Sequence, residues 1–272
     1  MFIEIITYRV VGCSNIKIRK DGSLTVANII VKNLNVFYGK KQVLKNIDTK
    51  INSGRITAII GQSGCGKSTF LKSINRIVEE ENGRINGHIY LDEEDILKED
   101  SQILRRKIGL VFQQPEAFPM SIEKNLSYIM NYHFNYKKLE LKERIKTYLQ
   151  MVGLYGEVKE ELSNPAKNLS GGQKQRLAIA RCLCLNPEVL LLDEPCSALD
   201  LKNTLDIEKM LLELKKKYTI VLVTHNLSQA KRIADDVIFM SEGEIVEEGS
   251  SKDIFSQPKS RKMREYIEYM EG

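Results

Sequence analysis

Hydrophobic and polar positions follow two kinds of pattern along this chain. Short runs rich in β-branched and other apolar residues predict strands at residues 29–37, 43–51, 55–60, 189–192 and 219–223. Apolar positions spaced by three and four predict helices after residue 68, at residues 122–129 and 139–152, and from 173 to about 185. Strands that alternate with helices indicate an α/β fold, here with a mixed sheet that has an antiparallel edge.

The predicted elements divide the chain into two lobes of one domain, residues 25–272. Residues 25–113 and 187–272 contain the strands and form the core, whereas residues from about 115 to 186 are strand-poor and form an inserted helical subdomain. After His225 we expect a helix to about residue 234, a hairpin around Glu242 and Gly243, and a charged helix that ends near Met270. Residues 1–24 form a short extension of unknown role, and an edge strand is one form that it could take.

Composition agrees with a globular protein that acts beside other proteins rather than on nucleic acid. The 272 residues are 42% hydrophobic and 28% charged, enough for one large core or two modest ones. Lys and Arg number 41 against 36 acidic residues, and the pI of about 8.8 is too low for a nucleic-acid partner to be expected. The five cysteines lack paired spacing, which indicates a reducing compartment.

A glycine-rich loop, GQSGCGKS at residues 61–68, lies between a predicted strand and a predicted helix. The glycines let successive N–H groups face inward, and the helix that follows adds partial positive charge, so the loop suits a polyphosphate. Lys67 would reach the β- and γ-phosphates, and the Ser68 hydroxyl would bind Mg²⁺. The alternative is a glycine-rich turn that happens to precede a helix. Residues expected to contact nucleotide here are Gly61, Gln62, Ser63, Gly64, Cys65, Gly66, Lys67, Ser68 and Thr69.

Cys65 lies inside this loop. A thiol at a helix N-terminus beside Lys67 should have a lowered pKa and react readily with alkylating reagents. Bound MgATP should protect it.

Two adjacent carboxylates, Asp193 and Glu194, follow the apolar run Leu190–Leu192, at the edge of the sheet where α/β proteins bind ligands. Asp193 can hold Mg²⁺, because a hard cation prefers carboxylate oxygen. Glu194 is the next residue along a pleated strand and should point the other way, which leaves it to polarise the attacking water. The alternative for both is a solvated acidic turn.

A second candidate anion site opens the helix that follows the segment NLSGGQ, residues 168–173. Ser170 is a favourable N-cap residue, and Gly171, Gly172 and Gln173 complete the turn. The segment could also be only a flexible loop that leads into the helix. Two phosphate-binding helix ends in one chain are hard to explain if the chain acts alone.

Taken together, the motifs resemble those of the ATP-binding-cassette (ABC) ATPases, from about Tyr38 to the end of the chain. The motifs, in chain order, are the phosphate loop, the glutamine of VFQQP, LSGGQ, the Asp-Glu pair, SALD at residues 197–200, and VTH ending at His225. The resemblance implies a phosphate-loop NTPase core that uses ATP and Mg²⁺. It also implies a head-to-tail dimer with a second copy of the chain, in which each ATP lies between one phosphate loop and the other chain's LSGGQ.

The resemblance also assigns roles to four further residues. Gln113 would sense Mg²⁺ and water and link to a membrane partner, and Asp200 would belong to a loop that crosses the dimer. His225 would contact the γ-phosphate, although without the motif it would be interpreted as a histidine satisfied after a buried strand. Tyr38 would stack on adenine, and the alternative is an ordinary aromatic residue at a strand end.

Within this family, some segments are similar to the ATP-binding subunit of bacterial phosphate importers. The most discriminating is FPMSI at residues 118–122, whose exposed apolar residues need either packing against the helical lobe or a permease partner. Departures from the pattern are Leu201 in place of a proline and Lys174 in place of a glutamine. They leave the ATPase chemistry untouched and weaken only the inference about cargo.

We therefore interpret the chain as an ATPase subunit that lies at the cytoplasmic face of the membrane and is peripheral to it. It would drive transmembrane permease subunits and act indirectly with a substrate-binding protein. No stretch approaches 18 uninterrupted apolar residues, so we expect transport to occur in the partner. The expected cargo is inorganic phosphate. One alternative keeps the ATPase role with another cargo, such as a polar amino acid. A second is a soluble ABC ATPase of translation or DNA maintenance. A third is a nucleotide kinase, but a kinase would lack LSGGQ and the Asp-Glu pair.

Overall fold

The computed structural model describes residues 6–7, 17–18 and 27–271 of the chain. The strands β1 (Ile6–Thr7) and β2 (Lys17–Ile18) pair with each other in antiparallel fashion. The rest of the predicted extension, residues 1–24, lies outside the described residues.

The described chain then alternates between strands and helices. The strands are β3 (Ile29–Tyr38), β4 (Lys41–Ile51), β5 (Ile56–Ile60), β6 (Gly83–Leu91), β7 (Glu94–Asp95), β8 (Ile108–Val111), β9 (Val189–Asp193), β10 (Thr219–Val223), β11 (Asp236–Ser241) and β12 (Glu244–Ser250). The helices are α1 (Lys67–Ile74), α2 (Ile77–Glu80), α3 (Ser101–Lys107), α4 (Ile122–His133), α5 (Lys138–Met151), α6 (Tyr155–Val158), α7 (Gly171–Leu183), α8 (Leu201–Leu214), α9 (Leu227–Ile233), α10 (Ser251–Ser256) and α11 (Arg261–Glu271).

A six-stranded sheet with the order β12-β11-β5-β10-β9-β8 forms the centre of the molecule. Every neighbouring pair is parallel except β11 and β12, which form the predicted hairpin at the antiparallel edge. All residues of β5, β9 and β10 are buried, as expected for parallel strands covered on both faces. The segments that follow β5, β8, β9 and β10 therefore lie beside one another along one edge of this sheet.

The antiparallel strands predicted near residues 29–51 do not extend the central sheet. They pair with β6 and β7 in a separate sheet of order β4-β3-β6-β7. The α/β class with parallel and antiparallel strands is as predicted. The second sheet went unrecognised because β6, at residues 83–91, is largely polar.

Helix α1 is packed between the two sheets. Phe70, Leu71 and Ile74 are fully buried in a cluster that includes side chains from β3 and β4 as well as from β9 and β10. Burial of each such side chain contributes about 1.5–3 kcal/mol relative to exposure, so the start of α1 is held firmly beneath the loop that precedes it.

The predicted helical region, from about residue 115 to 186, contains α4 to α7. Leu126, Leu149 and Leu177 from three of these helices share one apolar cluster with Leu190 and Leu192 of the central sheet. The helices thus pack on the sheet through a continuous core, and the division of the domain into lobes stays a prediction. Among the helices of the described residues, none combines the length and apolar character needed to cross a bilayer.

Candidate functional site

The glycine loop follows β5 directly and ends at the first residue of α1, Lys67. Gly61 has a φ of 146°, and a Cβ at this position would overlap the backbone oxygen of Met240. Gly66 has a φ of 111° and is the N-cap residue of α1. These conformations strongly favour glycine. The predicted strand, loop and helix are present, and the loop has the backbone conformation that its glycines allow.

Lys67 bends back over its own loop. Its side chain is 5% exposed, and Nζ donates hydrogen bonds of 2.9 Å each to the backbone oxygens of Gly61 and Gln62. These carbonyl oxygens hold a buried ammonium group that forms no ion pair with a carboxylate of the described residues. The arrangement keeps the positive charge at the loop, where oxygens of an anionic ligand could take the place of the carbonyls.

Ser68 and Asp193 bring two oxygen donors together below the loop. Ser68 Oγ donates a 2.9 Å hydrogen bond to Asp193 Oδ1, which connects the first turn of α1 to the end of β9. Desolvation by burial raises the pKa of Asp193, the negative charge of Glu194 raises it further, and the hydrogen bond from Ser68 opposes both. A hydroxyl and a carboxylate at this separation suit a hard divalent cation such as Mg²⁺.

Glu194 does not continue the strand. β9 ends at Asp193, and Glu194 turns away with a φ of 45° while its N–H donates to Val223 O at 3.0 Å. Our expectation that the pleat of a strand separates the two carboxylates was wrong, because the separation comes from this left-handed residue.

The Glu194 carboxylate joins two other predicted residues. Gln113 Nε2 donates to Glu194 Oε2 at 3.0 Å, and His225 Nδ1 lies 3.1 Å from the same oxygen. Gln113, Glu194 and His225 follow β8, β9 and β10, which are neighbours in the central sheet. Parallel pairing of these strands therefore places the three side chains at one edge.

A cleft of about 440 Å³ collects most of these groups. It is lined by Val43, Ser63, Gly64, Gly66, Lys67, Ser68, Thr69, Gln113, Glu194 and His225. Asp193 is buried beneath this lining. Tyr38, Asp200 and residues 170–173 do not line the cleft.

Tyr38 is the last residue of β3, one residue beyond the predicted end of this strand, and its hydroxyl forms a hydrogen bond. It donates to Glu81 Oε2 at 2.9 Å, and Lys72 Nζ of α1 lies 2.6 Å from Glu81 Oε1. Burial, followed by the contact with Glu81, raises the pKa of Tyr38 to about 12. The ring is thus anchored to the helix that begins at the glycine loop.

Residues 170–173 form the capped start of a helix. Ser170 Oγ accepts from Gln173 N at 3.3 Å, and Gln173 Oε1 accepts from Ser170 N at 2.9 Å, which completes a capping box. Helix α7 therefore begins at Gly171, two residues before the predicted start. Gly172 lies against Asn203, which also donates to the carboxylate of Asp200, the N-cap of α8.

Cys65 contradicts the prediction of a reactive thiol. The residue is 8% exposed, and desolvation by burial raises its pKa, although nearby Lys67 and backbone N–H groups act in the opposite direction. The motif correctly indicated positive charge near the sulfur, but it carried no information about burial.

FPMSI packs partly on the helical region. The centre of the Phe118 ring lies 4.3 Å from the Arg181 guanidinium. The backbone N–H of Phe118 donates to Oδ1 of the buried Asn125 at 2.9 Å. The residue is still 38% exposed, so the helical region covers only part of it.

The place of Val43 in the cleft and the contact of the predicted hairpin with the glycine loop had no signal in the sequence. Val43 lines the cleft, and the hairpin turn at Gly243 supports the glycine loop, since Gly243 N donates to Cys65 O at 3.0 Å and Gly243 O accepts from Lys45 N at 2.8 Å. These residues are too far apart along the chain for a local sequence pattern to predict that they meet. Glu157, which contacts Gln173 and Arg176, was also missed because no motif includes it.

Comparison with known proteins agrees with this geometry. The chain is 31% identical to cbiO1 from Clostridium perfringens, described as part of the ABC transporter complex cbiONQ. The match covers 89% of this chain and 96% of that one, with a TM-score of 0.75. A bacterial Atm1-family ABC exporter with ATP bound has the same fold, with a TM-score of 0.78 and 24% identity. That match covers 92% of this chain and 43% of the exporter chain. Residues 44–197 match the family described as ABC transporter, and this chain therefore belongs to that family.

Proposed function

We propose that this chain is the ATP-hydrolysing subunit of a membrane ABC import system whose cargo is inorganic phosphate. The observation that carries the ATPase role is the convergence of Lys67, Ser68, Gln113, Glu194 and His225 on one cleft. Membership of the ABC transporter family supports ATP as the nucleotide. Phosphate as cargo rests on the resemblance of FPMSI, residues 118–122, to the corresponding segment of phosphate importers.

The proposed chemistry assigns each group one task. Lys67 exchanges its carbonyl partners for β- and γ-phosphate oxygens, because a phosphate oxygen is the stronger acceptor for an ammonium group. Ser68, Asp193 and Gln113 are the residues that would hold Mg²⁺, and the donor set of hydroxyl, carboxylate and amide oxygens fits that ion. When bound, Mg²⁺ neutralises charge on the β- and γ-phosphates.

Glu194 is the group proposed to polarise the attacking water. The water oxygen forms a bond to the γ-phosphorus while the bond to the bridging oxygen of ADP breaks, and the water proton passes toward the Glu194 carboxylate. Gln113 and His225 hold the carboxylate from two sides, and His225 is further proposed to contact the γ-phosphate.

A second copy of the chain is proposed to complete each ATP site. Residues 170–173 form the start of α7, where the N–H groups of Ser170 and Gln173 donate within the capping box and Gly171 and Gly172 lie between them, yet the segment does not line the cleft of its own chain. A head-to-tail dimer would give this second anion site a ligand, because it places Ser170 of one chain against the phosphates held by Lys67 of the other. Asp200, close to Gly172 through Asn203, would lie at the same interface.

Transmembrane permease subunits are the proposed membrane partners, with a substrate-binding protein acting indirectly. The similar protein cbiO1 is part of a complex, and Phe118 offers an exposed ring near the residues that follow β8. The chain would act at the cytoplasmic face of the membrane.

Uptake measurements test the proposed cargo. Deletion of the gene should abolish uptake of labelled phosphate, whereas selective loss of polar amino acid uptake would favour the alternative cargo.

The shared ATP site can be tested with two variants. Lys67→Ala removes the cation on one side of the site, and Ser170→Arg blocks the helix end on the other, so each homodimer should be nearly inactive. In mixed dimers one site carries both lesions and the other keeps wild-type Lys67 and Ser170, which allows part of the ATPase activity to return unless the sites are strictly coupled.

A crosslink gives a readout that does not depend on this coupling. A photoreactive γ-phosphate analogue bound at Lys67 of a tagged chain should label the segment around Ser170 of the untagged chain. Crosslinks confined to one chain, in protein shown to be dimeric, would rule out the shared site.

A further inference from the structure

An ion pair joins α6 to the second turn of α7. The carboxylate of Glu157 faces the guanidinium of Arg176, with Oε1 2.6 Å from Nη1 and Oε2 3.1 Å from Nη2. Arg176 also donates to Gly153 O at 3.1 Å and to Gly172 O at 3.4 Å. Paired N–H donors on one carboxylate fix both groups in distance and in orientation.

The same carboxylate also controls the amide of Gln173. Gln173 Nε2 donates to Glu157 Oε2 at 3.0 Å, while the amide oxygen accepts from Ser170 N at 2.9 Å. With its nitrogen held by Glu157, the amide must direct its oxygen toward the Ser170 backbone. Without Glu157, the amide could rotate by half a turn and direct its NH₂ group at the same backbone N–H, which would open the capping box.

The ion pair with Arg176 does not by itself require a contact with Gln173. The Glu157 side chain is 43% exposed and the Arg176 side chain 7% exposed, so Glu157 neutralises a buried guanidinium and, in addition, accepts from the Gln173 amide. Desolvation would raise the pKa of Glu157, but the hydrogen bonds from Arg176 and Gln173 outweigh it and lower the pKa, so the carboxylate is charged at neutral pH.

We infer that Glu157 is a positioning residue for the anion-binding turn at residues 170–173. Glu157, in α6, fixes the side-chain amide of Gln173, and the oxygen of this amide accepts from the backbone N–H of Ser170. The inference deepens the proposed function and rests on it, because the turn is there proposed to contact the ATP held by a second copy of the chain.

Hydrogen–deuterium exchange on the nucleotide-free protein tests the positioning without any need for ATPase activity. In Glu157→Ala the amides of residues 170–173 should exchange about three- to tenfold faster, equivalent to the loss of one net hydrogen bond. Glu157→Gln keeps an oxygen acceptor and should show a smaller increase.

Glu140→Gln is the matched control. Glu140 is 44% exposed and pairs with Arg144 at 3.1 Å in α5, without contact to the turn. This variant should leave exchange at residues 170–173 unchanged. Equal exchange in Glu157→Ala and wild type would overturn the inference.

ATPase assays then test the functional part. ATP binding to the isolated chain depends on the glycine loop, so in Glu157→Ala its Kd should stay within about twofold of wild type. Turnover should fall by about ten- to a hundredfold, the scale expected when a binding group is displaced. Turnover equal to that of Glu140→Gln, or an equal loss of ATP binding and turnover, would overturn the inference. A wild-type protein without ATPase activity would instead count against the proposed function, while the exchange result would still decide the positioning.

Discussion

Glu194 shows how one backbone conformation can set the chemistry of a site. A left-handed φ costs a non-glycine residue about 1–3 kcal/mol, and Glu194 adopts it at 45°. The surrounding structure maintains it through the hydrogen bond to Val223 O and through the contacts with Gln113 and His225. With this conformation Glu194 lines the cleft, whereas Asp193 is buried beneath the lining.

Replacement of Glu194 by Gln should separate binding from turnover. The amide keeps the size of the side chain but is a far weaker base, so ATP should still bind while turnover falls by about 100-fold or more. Steady-state ATPase assays and equilibrium binding measure the two effects. Glu213→Gln, at an exposed carboxylate paired with Lys216, is the control and should behave as wild type. Turnover close to wild type in Glu194→Gln would assign the catalytic role to another group.

Alkylation of Cys65 should report its burial. Because desolvation raises the pKa, little thiolate is present at neutral pH, and the rate should rise by up to about tenfold per pH unit on the alkaline side. Mass spectrometry of the Cys65 peptide after iodoacetamide treatment at pH 7 and pH 9 measures this. Bound MgATP should slow the reaction further. Rapid labelling at pH 7 that does not depend on pH would contradict the raised pKa.

At the scale of elements, the contact between β8 and α7 depends on the absence of a side chain. A Cβ on Gly109 would overlap Cys182 Sγ, but it would lie 3.7 Å from Cys182 Cβ, an ordinary contact. Only the sulfur therefore forbids a larger residue in β8, the strand that leads to Gln113.

Gly109→Ala should lower the free energy of unfolding by about 1–3 kcal/mol through overpacking, and urea denaturation measures it. Addition of Cys182→Ala removes the sulfur, so the double variant should be more stable than the sum of the two single effects predicts. Gly156→Ala is the control, because its Cβ would meet nothing within 4 Å. Strict additivity at Gly109 and Cys182 would show that the strand and helix move apart freely.

At the scale of the whole molecule, the two halves of the proposed ATP site lie apart on one chain. Glu194→Gln should therefore accumulate, in the presence of MgATP, as a dimer of twice the 31.1 kDa chain mass, because bound ATP that is not hydrolysed keeps the two copies together. Light scattering after size-exclusion chromatography measures the mass.

Addition of Lys67→Ala to this variant should return the protein to the mass found without nucleotide. A mass that is unaffected by MgATP in Glu194→Gln would argue against closure of two chains on ATP.

Local features of the site were predictable from the sequence alone. The turn of the glycine loop, the N-cap at Ser170 and the hairpin at Glu242 and Gly243 depend on preferences of a few neighbouring residues, which a sequence states directly. The strands β5, β9 and β10 were equally clear, because a short and largely apolar run of this length indicates a buried strand. The predicted site residues also contained every residue that lines the cleft except Val43, but they included Tyr38, Asp200 and residues 170–173, which do not line it.

Tertiary structure alone decided how those side chains meet. The order of the central sheet places Gln113, Glu194 and His225 side by side, although more than 110 residues separate the first from the last. The burial of Cys65, the separate antiparallel sheet and the contact of Glu157 with Gln173 likewise depend on segments that are distant along the chain. Backbone preferences act over a few residues, whereas burial and electrostatic environment arise from whichever segments pack together, and for this reason the sequence determined the parts of the site while the fold determined their geometry.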